Sequence, residues 1–272
     1  NNWFMMYFLS VVLIGTIYPI FLDVISSQKI SVGPPFYHKL IIPFLIPFLL
    51  IMAIGPKLKW IKSNLDDKIY LISLLIISIL LSILIVKNFS SNFLINTILI
   101  SSALYLFFIT LRDFFNKGFK NLAQNTAHFG FSLLILSILF NSLFSSEIIT
   151  NLKVGETFEN TKTKIVFESI SQKEEKNYNS IVAKFTVQDS KGKLENLSPE
   201  LRIYNQPNIA TSEADIKTTL LSDKFIVINI VQNQEFFNVR YQVKPFMLWI
   251  WISVILISVG GLVSFVKKEY EK

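Results

Sequence analysis

The chain has 272 residues, 51% of them hydrophobic, with 25 phenylalanines and a mean hydropathy of +0.49. This composition excludes an ordinary soluble domain and is typical of an integral membrane protein. The absence of cysteine excludes disulfides, zinc thiolates, and CxxC or CxxCH motifs within the chain. The net charge of +7 does not indicate nucleic-acid binding, because many lysines flank apolar runs and no basic stripe with interleaved aromatic residues is present.

Six apolar stretches predict transmembrane helices. Each is close to the roughly 20 residues that a helix needs to cross a hydrocarbon core about 30 Å thick. Pro43 and Pro47 interrupt the second stretch, which we therefore expect to be kinked. Trp3 and Trp60 lie near stretch ends, where amphipathic rings favour the membrane interface. The predicted helices cover about residues 3–22, 39–55, 69–86, 94–111, 126–144 and 245–266.

Basic residues predict the orientation of these helices. The loops at 56–68 and 112–121 and the tail at 267–272 are rich in lysine and arginine, whereas the short intervening loops carry one lysine each. Cytoplasmic loops carry an excess of these residues, so we expect both termini inside and residues 145–244 outside. The basic residues concerned are Lys57, Lys59, Lys62, Lys68, Arg112, Lys117, Lys120, Lys267, Lys268 and Lys272.

The long segment between the last two helices predicts a separate domain. It contains four partly alternating runs of β-branched and aromatic residues, TKIVFESI, NSIVAKFTVQD, KFIVINIV and EFFNVRYQV, separated by polar turns. We therefore expect a membrane α-helical fold of about six transmembrane helices with an inserted extracytoplasmic antiparallel β domain, a sandwich or barrel. The predicted divisions are a five-helix membrane domain at 1–144, the β domain at 145–244, a last helix at 245–266 and a cytoplasmic tail at 267–272.

His128 is the most informative single residue, because it interrupts the apolar run AQNTAHFGFSLLILSILF at residues 123–140. Burying an ionisable group in lipid is costly unless it is paired. The imidazole is suited either to ligating haem iron or to an interhelical hydrogen bond, and both remain open. Gly130 would let a flat macrocycle or another helix approach the backbone closely. His128 is about 17 residues, or about 25 Å, from a helix end near Ser145, which places it in the cytoplasmic half of the membrane.

His38 is predicted to lie at the outer end of its helix. The axial nitrogens of one iron are about 4 Å apart given metal–nitrogen bonds of about 2 Å, so His38 and His128 are not expected to share an iron. We expect His38, which is next to Lys39, to be an interfacial residue. Its loop, KISVGPPFYH, combines a stiff Gly-Pro-Pro turn with aromatic residues, and either braces a neighbouring surface or is an ordinary rigid loop.

The remaining polar residues predict no hydrolytic site. Nucleophile triads, spaced carboxylate pairs, phosphate-binding glycine loops and metal clusters have no signature in the sequence. Glu200, Glu213 and Asp215 occur among predicted strands and turns with no histidine nearby, and we expect them at a solvated or salt-bridged surface.

Several motifs, in one order along the chain, resemble the CcmF family, the integral membrane subunit of the bacterial cytochrome c haem lyase. Near the N-terminus, IGTIYPIFLDV (14–24), KISVGPPFY (29–37) and IGPKLKW (54–60) are similar to its GTLYP…KISVGPPYF and GP-plus-basic motifs. Further on, AHFGFSLLILSI (127–138) is similar to its AHLG-type helix, PELRIY (199–204) with TSEADI (211–216) to PEKRxY…TEAxI, and RYQVKPFMLWIWISVILISVGG (240–261) to its YKPFxxWIW…GG ending. Leu201 stands where the family usually has lysine, and SDKFIVI (222–228) departs from the family's GDLYVALG motif.

The resemblance implies that the chain is the C-terminal part of a CcmF-type haem lyase, in keeping with a first residue, Asn1, that is not methionine. By match to AHLG, His128 would be one axial ligand of a b-type haem in the membrane, a haem thought to keep delivered haem iron reduced. The family's WWD segment, its external haem-ligating histidines and its second membrane histidine are absent from this chain. The second axial ligand would therefore come from outside it, and His38 matches no haem histidine of the family.

The family's reaction joins haem, delivered by the chaperone CcmE, to the CxxCH thiols of apocytochrome c outside the membrane. The implied partners are the N-terminal portion of CcmF, CcmE, CcmH-type subunits and apocytochrome c, and we expect no thioether formation without the N-terminal portion. The implied location is the bacterial inner membrane with the β domain in the periplasm, or alternatively the mitochondrial inner membrane. The residues expected to frame the outer site are Gly33, Pro34, Pro35, Tyr37, Glu200, Arg202, Tyr204 and Glu213.

Two other functions are compatible with the sequence. Six helices and a membrane histidine also suit a transporter or channel for haem or a small solute, although the spans carry few charges and show no paired broken helices. The chain is alternatively a non-catalytic scaffold that docks cytochrome c maturation partners through the β domain.

Overall fold

The computed structural model describes residues 2–26, 29–58, 68–88, 92–116, 121–189, 192–231 and 235–270. Within these residues the chain forms α1 (Asn2–Ser26), α2 (Pro34–Ile54), α3 (Lys68–Val86), α4 (Phe93–Asn116), α5 (Leu122–Phe144), ten strands and α6 (Met247–Tyr270). Six helices of the described residues are long and apolar enough to cross a membrane. The prediction of about six such helices is confirmed.

The start of α2 differs from the prediction. The sequence predicts a stiff loop over residues 33–37, but α2 begins at Pro34 and includes Pro35 and Tyr37. Proline fits the first helical turn because that turn needs no N–H donor and the proline φ is already helical. Gly33 forms the N-cap, and its carbonyl accepts a hydrogen bond at 3.2 Å from the N–H three residues further on.

α2 and α3 pack against α4, and α1 packs against α2. α4 is buried at every position from 99 to 106. α1 packs on α2 through aromatic side chains, with the Tyr7 and Phe44 ring centroids 4.2 Å apart. The Tyr7 hydroxyl also donates a hydrogen bond to the Leu40 carbonyl at 3.0 Å, and α2 stays helical across both of its internal prolines.

Ten strands between α5 and α6 form two antiparallel sheets. One sheet has the order β1-β10-β9-β8, and the other has the order β2-β3-β4-β6-β7 with β5 also paired to β4. The strands are β1 (Ser146–Leu152), β2 (Thr157–Glu159), β3 (Thr163–Glu174), β4 (Tyr178–Asp189), β5 (Leu194–Leu197), β6 (Glu200–Tyr204), β7 (Ile209–Glu213), β8 (Asp215–Thr218), β9 (Ser222–Ile230) and β10 (Phe237–Pro245).

The two sheets face each other across one hydrophobic core. Phe167 and Phe185 stack at a centroid distance of 4.4 Å from one sheet, and Ile226, Ile228 and Val239 are fully buried from the other. Alternate residues of a strand point to opposite faces, so each sheet contributes every second side chain to this core. The domain is an antiparallel β-sandwich, as predicted.

The described residues divide into two compact units. One comprises residues 1–139 with 252–272, and the other comprises residues 140–251. α6 continues to Tyr270, so the predicted tail is helical over residues 267–270. Part of the predicted orientation signal and the interfacial Trp60 lie outside the described residues, namely Lys59, Lys62, Lys117, Lys120 and Lys272, together with the side chains of Lys267 and Lys268.

Candidate functional site

His128 lies near the start of α5 and borders two open spaces in the helical unit. Its side chain is half-buried. It lines both a small polar cavity and a larger cleft. An ionisable side chain at such a position, on a helix apolar enough to cross a membrane, is a candidate ligand or proton-bearing group.

The small cavity has a volume of about 60 Å³ and a mostly polar lining. The ends of α2, α4 and α5 meet there. Its polar lining and size suit bound water, since a water needs both room and several polar partners. The lining residues are Met52, Ala53, Pro56, Ile109, Thr110, Asp113, Asn121, Gln124, Asn125 and His128.

Polar contacts on either side of His128 in the sequence fix α5 against α4. The fully buried Ser132 hydroxyl lies 2.6 Å from the Thr110 hydroxyl, and the Asn125 side-chain amide donates to the Asp113 carbonyl at 3.3 Å. Asn125 and Ser132 are two helical turns apart and therefore share one face of α5. These contacts limit the rotation of α5 and so set the direction in which the His128 imidazole leaves the helix.

An ion pair closes the same end of the helical unit. The Lys57 ammonium lies 3.3 Å from the Asp113 carboxylate, and both side chains are largely buried, at 18% and 17% exposure. Lys57 follows α2 directly, so the pair joins the end of α2 to the end of α4 beside the polar cavity.

The larger cleft lies between the first turns of α5 and residues 257–266 of α6. Its volume of about 880 Å³ is within the range of about 300–1,000 Å³ that is common for small-molecule and cofactor pockets. Most of the lining is apolar, and His128 and Gln124 are among the few polar groups. The lining residues are Asn121, Leu122, Ala123, Gln124, Ala127, His128, Ile257, Gly260, Gly261, Leu262, Val263, Ser264 and Val266.

Small residues bring α5 and α6 into close contact beside this cleft. A Cβ atom on Gly260 would lie 2.7 Å from the Ala127 nitrogen and 2.8 Å from the Ala123 carbonyl oxygen. A Cβ atom on Gly130 would lie 2.9 Å from the Ile257 nitrogen. Gly130 was expected to allow either a flat macrocycle or another helix to approach its backbone, and the structure shows the approach of another helix, α6. Close backbone contact through glycine and alanine is the usual way in which membrane helices associate.

Gly261 differs from its neighbour. No atom lies within 4 Å of a Cβ built at this position, and the residue lines the cleft. The cleft therefore has a floor of alanine and glycine in which a flat group would meet backbone rather than side chains.

His38 lies far from this site. It is exposed near the start of α2, whereas Ala53, near the end of the same helix, lines the polar cavity with His128. The 15 residues from His38 to Ala53 correspond to about 22 Å at about 1.5 Å per residue. His38 and His128 are therefore not placed to coordinate one metal.

The residues expected to frame an outer site fall in two places. Gly33, Pro34, Pro35 and Tyr37 cap and begin α2, and the Tyr37 ring packs on Gly15 of α1. A Cβ atom on Gly15 would lie 2.7 Å from the Tyr37 hydroxyl oxygen, so only glycine leaves room for this ring. The other four lie on the β domain, which is a separate compact unit.

Glu200, Arg202, Tyr204 and Glu213 come together on β6 and β7. Glu200, Arg202 and Tyr204 alternate along β6, and Glu213 is directly opposite Glu200 on β7. Arg202 donates to the Glu200 carboxylate at 3.0 Å and lies 5.0 Å above the Tyr178 ring. The hydrogen bonds to Glu200 and Tyr204 raise the pKa of the Arg202 guanidinium well above its ordinary value. This patch consists of partly exposed polar groups, among which Arg202 and Glu200 form an ion pair.

Several residues of the cleft carry little signal in the sequence. The spacing of Ala123, Ala127 and Gly130 is a small-residue pattern that can be recognised beforehand. The separate roles of Gly260 and Gly261 at the cleft, and of Asp113 at the polar cavity, depend on how α4, α5 and α6 meet and follow from no local pattern.

Comparison with known proteins identifies relatives along the whole chain. A family model described as the CcmF C-terminal beta-sandwich matches residues 143–245. The chain is 26% identical over 99% of its length to the cytochrome c-type biogenesis protein CcmF of Pseudomonas fluorescens, and 26% identical over its full length to CcmF of Escherichia coli. Ccl1 of Rhodobacter capsulatus, also a cytochrome c-type biogenesis protein, is 24% identical over 96% of the chain.

A solved structure of the cytochrome c haem lyase CcmF has the same fold. It superposes with a TM-score of 0.72 over 96% of the chain, at 21% sequence identity. The chain spans about 43% of the length of the curated relatives it matches and 44% of that structure. The predicted resemblance to the C-terminal part of this family is confirmed, and the bacterial relatives and six apolar helices indicate a multi-pass inner membrane protein.

Proposed function

We propose that this chain, the C-terminal part of a CcmF-type cytochrome c biogenesis protein, holds a b-type haem in the membrane through His128. The observation that carries the proposal is the position of His128 on a cleft of about 880 Å³ between α5 and α6. A neutral imidazole is a common axial ligand of haem iron.

The residues present fit such a group in size and chemistry. The cleft offers one imidazole, an apolar lining and a floor where Gly261 leaves open space for a planar ring. It offers one iron ligand among the described residues, since His38 lies about 22 Å away along α2. The second axial ligand would therefore be donated from outside this chain.

The chain's own residues would orient the ligand and shape the cleft. The Ser132–Thr110 and Asn125–Asp113 contacts hold α5 in one rotation and so fix the position of the His128 backbone. The Gly260–Ala127 contact keeps α6 against α5 and so defines one wall of the cleft. Bound haem would supply a one-electron redox centre, and the polar cavity beside His128 would keep the imidazole hydrated on its other side.

The wider function rests on the same family membership. With the N-terminal portion of CcmF, the chain would take part in joining haem, brought by CcmE, to the CxxCH thiols of apocytochrome c. The β domain would lie in the periplasm, where Glu200, Arg202, Tyr204 and Glu213 would contribute a surface for CcmH-type subunits or apocytochrome c. The start of α2, with Gly33, Pro34, Pro35 and Tyr37, would frame the outer site from the membrane.

The two histidines of the chain provide a matched test. We expect His128→Ala in the whole CcmF-type protein to remove the reduced b-haem absorbance of the purified protein, because one axial ligand is lost. His38→Ala is the control, and it should leave the haem content and the reduced spectrum unchanged. A His128→Ala protein with an unaltered reduced spectrum would contradict the proposal, whatever its maturation activity.

A further inference from the structure

The turn between β8 and β9 carries two leucines in an unusual environment. Leu220 and Leu221 are 70% and 69% exposed at the tip of the hairpin. The tip is well ordered by its own hydrogen bonds, since the Thr219 N–H donates to the Ser222 carbonyl at 3.0 Å and the Thr219 hydroxyl donates to the same oxygen at 2.7 Å. Single exposed leucines are common on proteins, but two adjacent ones on a hydrogen-bonded tip present a defined apolar surface.

Two hydrogen bonds attach this tip to the first turn of α6. The Phe246 N–H donates to the Leu221 carbonyl at 2.9 Å, and the Trp249 indole N–H donates to the Leu220 carbonyl at 2.9 Å. β10 ends at Pro245 and α6 begins at Met247, so the strand becomes the helix within one residue. That residue, Phe246, has a φ of 61°, a left-handed conformation that is rare for a bulky side chain.

The position of α6 fixes what the tip faces. Residues Met247–Val266 form one of the helices that are apolar enough to cross a membrane, so its first turn marks the bilayer boundary. Tryptophan prefers that boundary because its ring is apolar and its indole N–H needs a polar partner, which here is the Leu220 carbonyl. Lys217 pairs with Lys224 and Lys244 pairs with Asp223 near the same end of the sheet, and lysines close to a bilayer boundary would keep their ammonium groups among the hydrated headgroups.

We propose that the β8–β9 tip inserts Leu220 and Leu221 into the acyl-chain boundary of the bilayer next to α6. The hydrogen bonds to Phe246 and Trp249 fix the height of the tip relative to the membrane span. The β domain would then have three membrane attachments, namely the two helices that enter and leave it and this apolar tip. The inference depends on α6 crossing the membrane and not on haem binding by His128.

Spin labelling tests the insertion directly, because the chain has no cysteine of its own. A nitroxide at Leu221→Cys is compared with one at Ile230→Cys, at the other end of β9, and one at Ile255→Cys, on the exposed face of α6. Ile230 is eight residues beyond Ser222, or about 26 Å at about 3.3 Å per residue. The protein is reconstituted in nanodiscs of phosphatidylethanolamine and phosphatidylglycerol, and collisions with oxygen and with a water-soluble nickel chelate are measured.

The expected result is an oxygen-to-nickel collision ratio several-fold higher at 221 than at 230, and approaching that at 255. A ratio at 221 equal to that at 230 would overturn the proposal, because the tip would then lie in water. Low collision rates with both reagents at 221 would overturn it as well, because the leucines would then be covered by protein. The 230 and 255 labels show in the same preparation that the fold and the bilayer are intact.

Discussion

Two adjacent glycines on α6 have different surroundings. Gly260 is in contact with the backbone of α5, where an added Cβ atom would lie 2.7 Å from the Ala127 nitrogen, whereas Gly261 has no atom within 4 Å. The two glycines therefore have different roles: Gly260 allows the helices to pack closely, and Gly261 leaves the cleft open.

The same substitution at both positions separates these roles. We expect Gly260→Ala to lower stability by about 1–3 kcal/mol, the usual cost of overpacking, because a backbone atom cannot move aside. Gly261→Ala should be neutral or stabilising by roughly 0.5–1 kcal/mol, since alanine is favoured over glycine within a helix. Thermal unfolding in detergent, followed by circular dichroism, measures both. Equal midpoints for the two variants would show that α5 and α6 are not in close contact.

His128 shows how far single residues can be interpreted from sequence. The free-energy cost of burying an imidazole in an apolar helix indicates that His128 is functional or hydrogen-bonded. The number of residues between His128 and the helix end predicts its depth in the membrane. Its surroundings were not predictable, because Thr110 and Asp113 approach it from α4 and Gly260 approaches it from α6. Pro34 and Pro35 show the opposite problem, since a proline pair suits both a turn and a first helical turn, and local chemistry does not choose between them.

At the scale of secondary-structure elements, a charged group joins the two sheets of the sandwich. Lys224 on β9 lies 2.9 Å from the Glu195 carboxylate on β5 and 3.8 Å from that of Asp189 on β4. Glu195 is only 2% exposed, and Lys193 also contacts it at 3.1 Å. Burial and the negative charges of Glu195 and Asp189 raise the pKa of the nearby Tyr241 hydroxyl, so this residue stays neutral beside them.

Removing the inter-sheet lysine should loosen the sandwich. Lys224→Met leaves the buried Glu195 carboxylate with Lys193, a more exposed cation, as its remaining partner. Breaking a comparable buried ion pair costs about 3 kcal/mol. This loss of stability corresponds to about hundredfold faster amide exchange. Hydrogen exchange of the β9 peptide, measured by mass spectrometry, gives the change. Lys217→Met, at an exposed position opposite Lys224 on β8, is the matched control and should exchange as the parent does.

The same group makes the sandwich sensitive to acid. Burial alone would raise the pKa of the Glu195 carboxyl, but the ammonium groups of Lys224 and Lys193 outweigh it and hold the pKa below its ordinary value of 4.5. A lowered folded-state pKa stabilises the fold above the ordinary value, and this stabilisation is lost as the pH falls from 4.5 through the folded-state pKa. We expect the protection factors of the β9 amides, which correct for the intrinsic pH dependence of exchange, to fall over that interval, and Glu195→Gln to remove this fall.

Long elements were predictable and short ones were not. Hydropathy located all six described helices, because a run of about 20 apolar residues is typical of a membrane-spanning helix and rare in a soluble domain. The four longest strands, β3, β4, β9 and β10, follow the predicted runs TKIVFESI, NSIVAKFTVQD, KFIVINIV and EFFNVRYQV. Strands such as β2 and β5 have three or four residues, which is too short for a period of two to be recognised, and they form because a longer neighbour offers its hydrogen bonds.

At the scale of the whole molecule, the alternation of six spans and one large loop determines which face of the membrane each part meets. The basic loops predict both termini inside and the β domain outside. We expect a cysteine at Glu235, whose side chain is 87% exposed, to react with a membrane-impermeant maleimide in intact cells. A cysteine at the exposed Asn116, at the end of α4, should react only after the membrane is permeabilised. The reverse labelling pattern would contradict the predicted orientation.

The central claim is that His128 is an iron ligand and not a packing residue, and a change of ligand type tests it most directly. His128→Met in the whole protein should retain haem but raise its midpoint reduction potential and alter its spectrum, because replacing histidine by methionine as axial ligand raises the potential. His38→Met should change neither property. A His128→Met protein with the parental potential and spectrum would show that the iron is held by other residues.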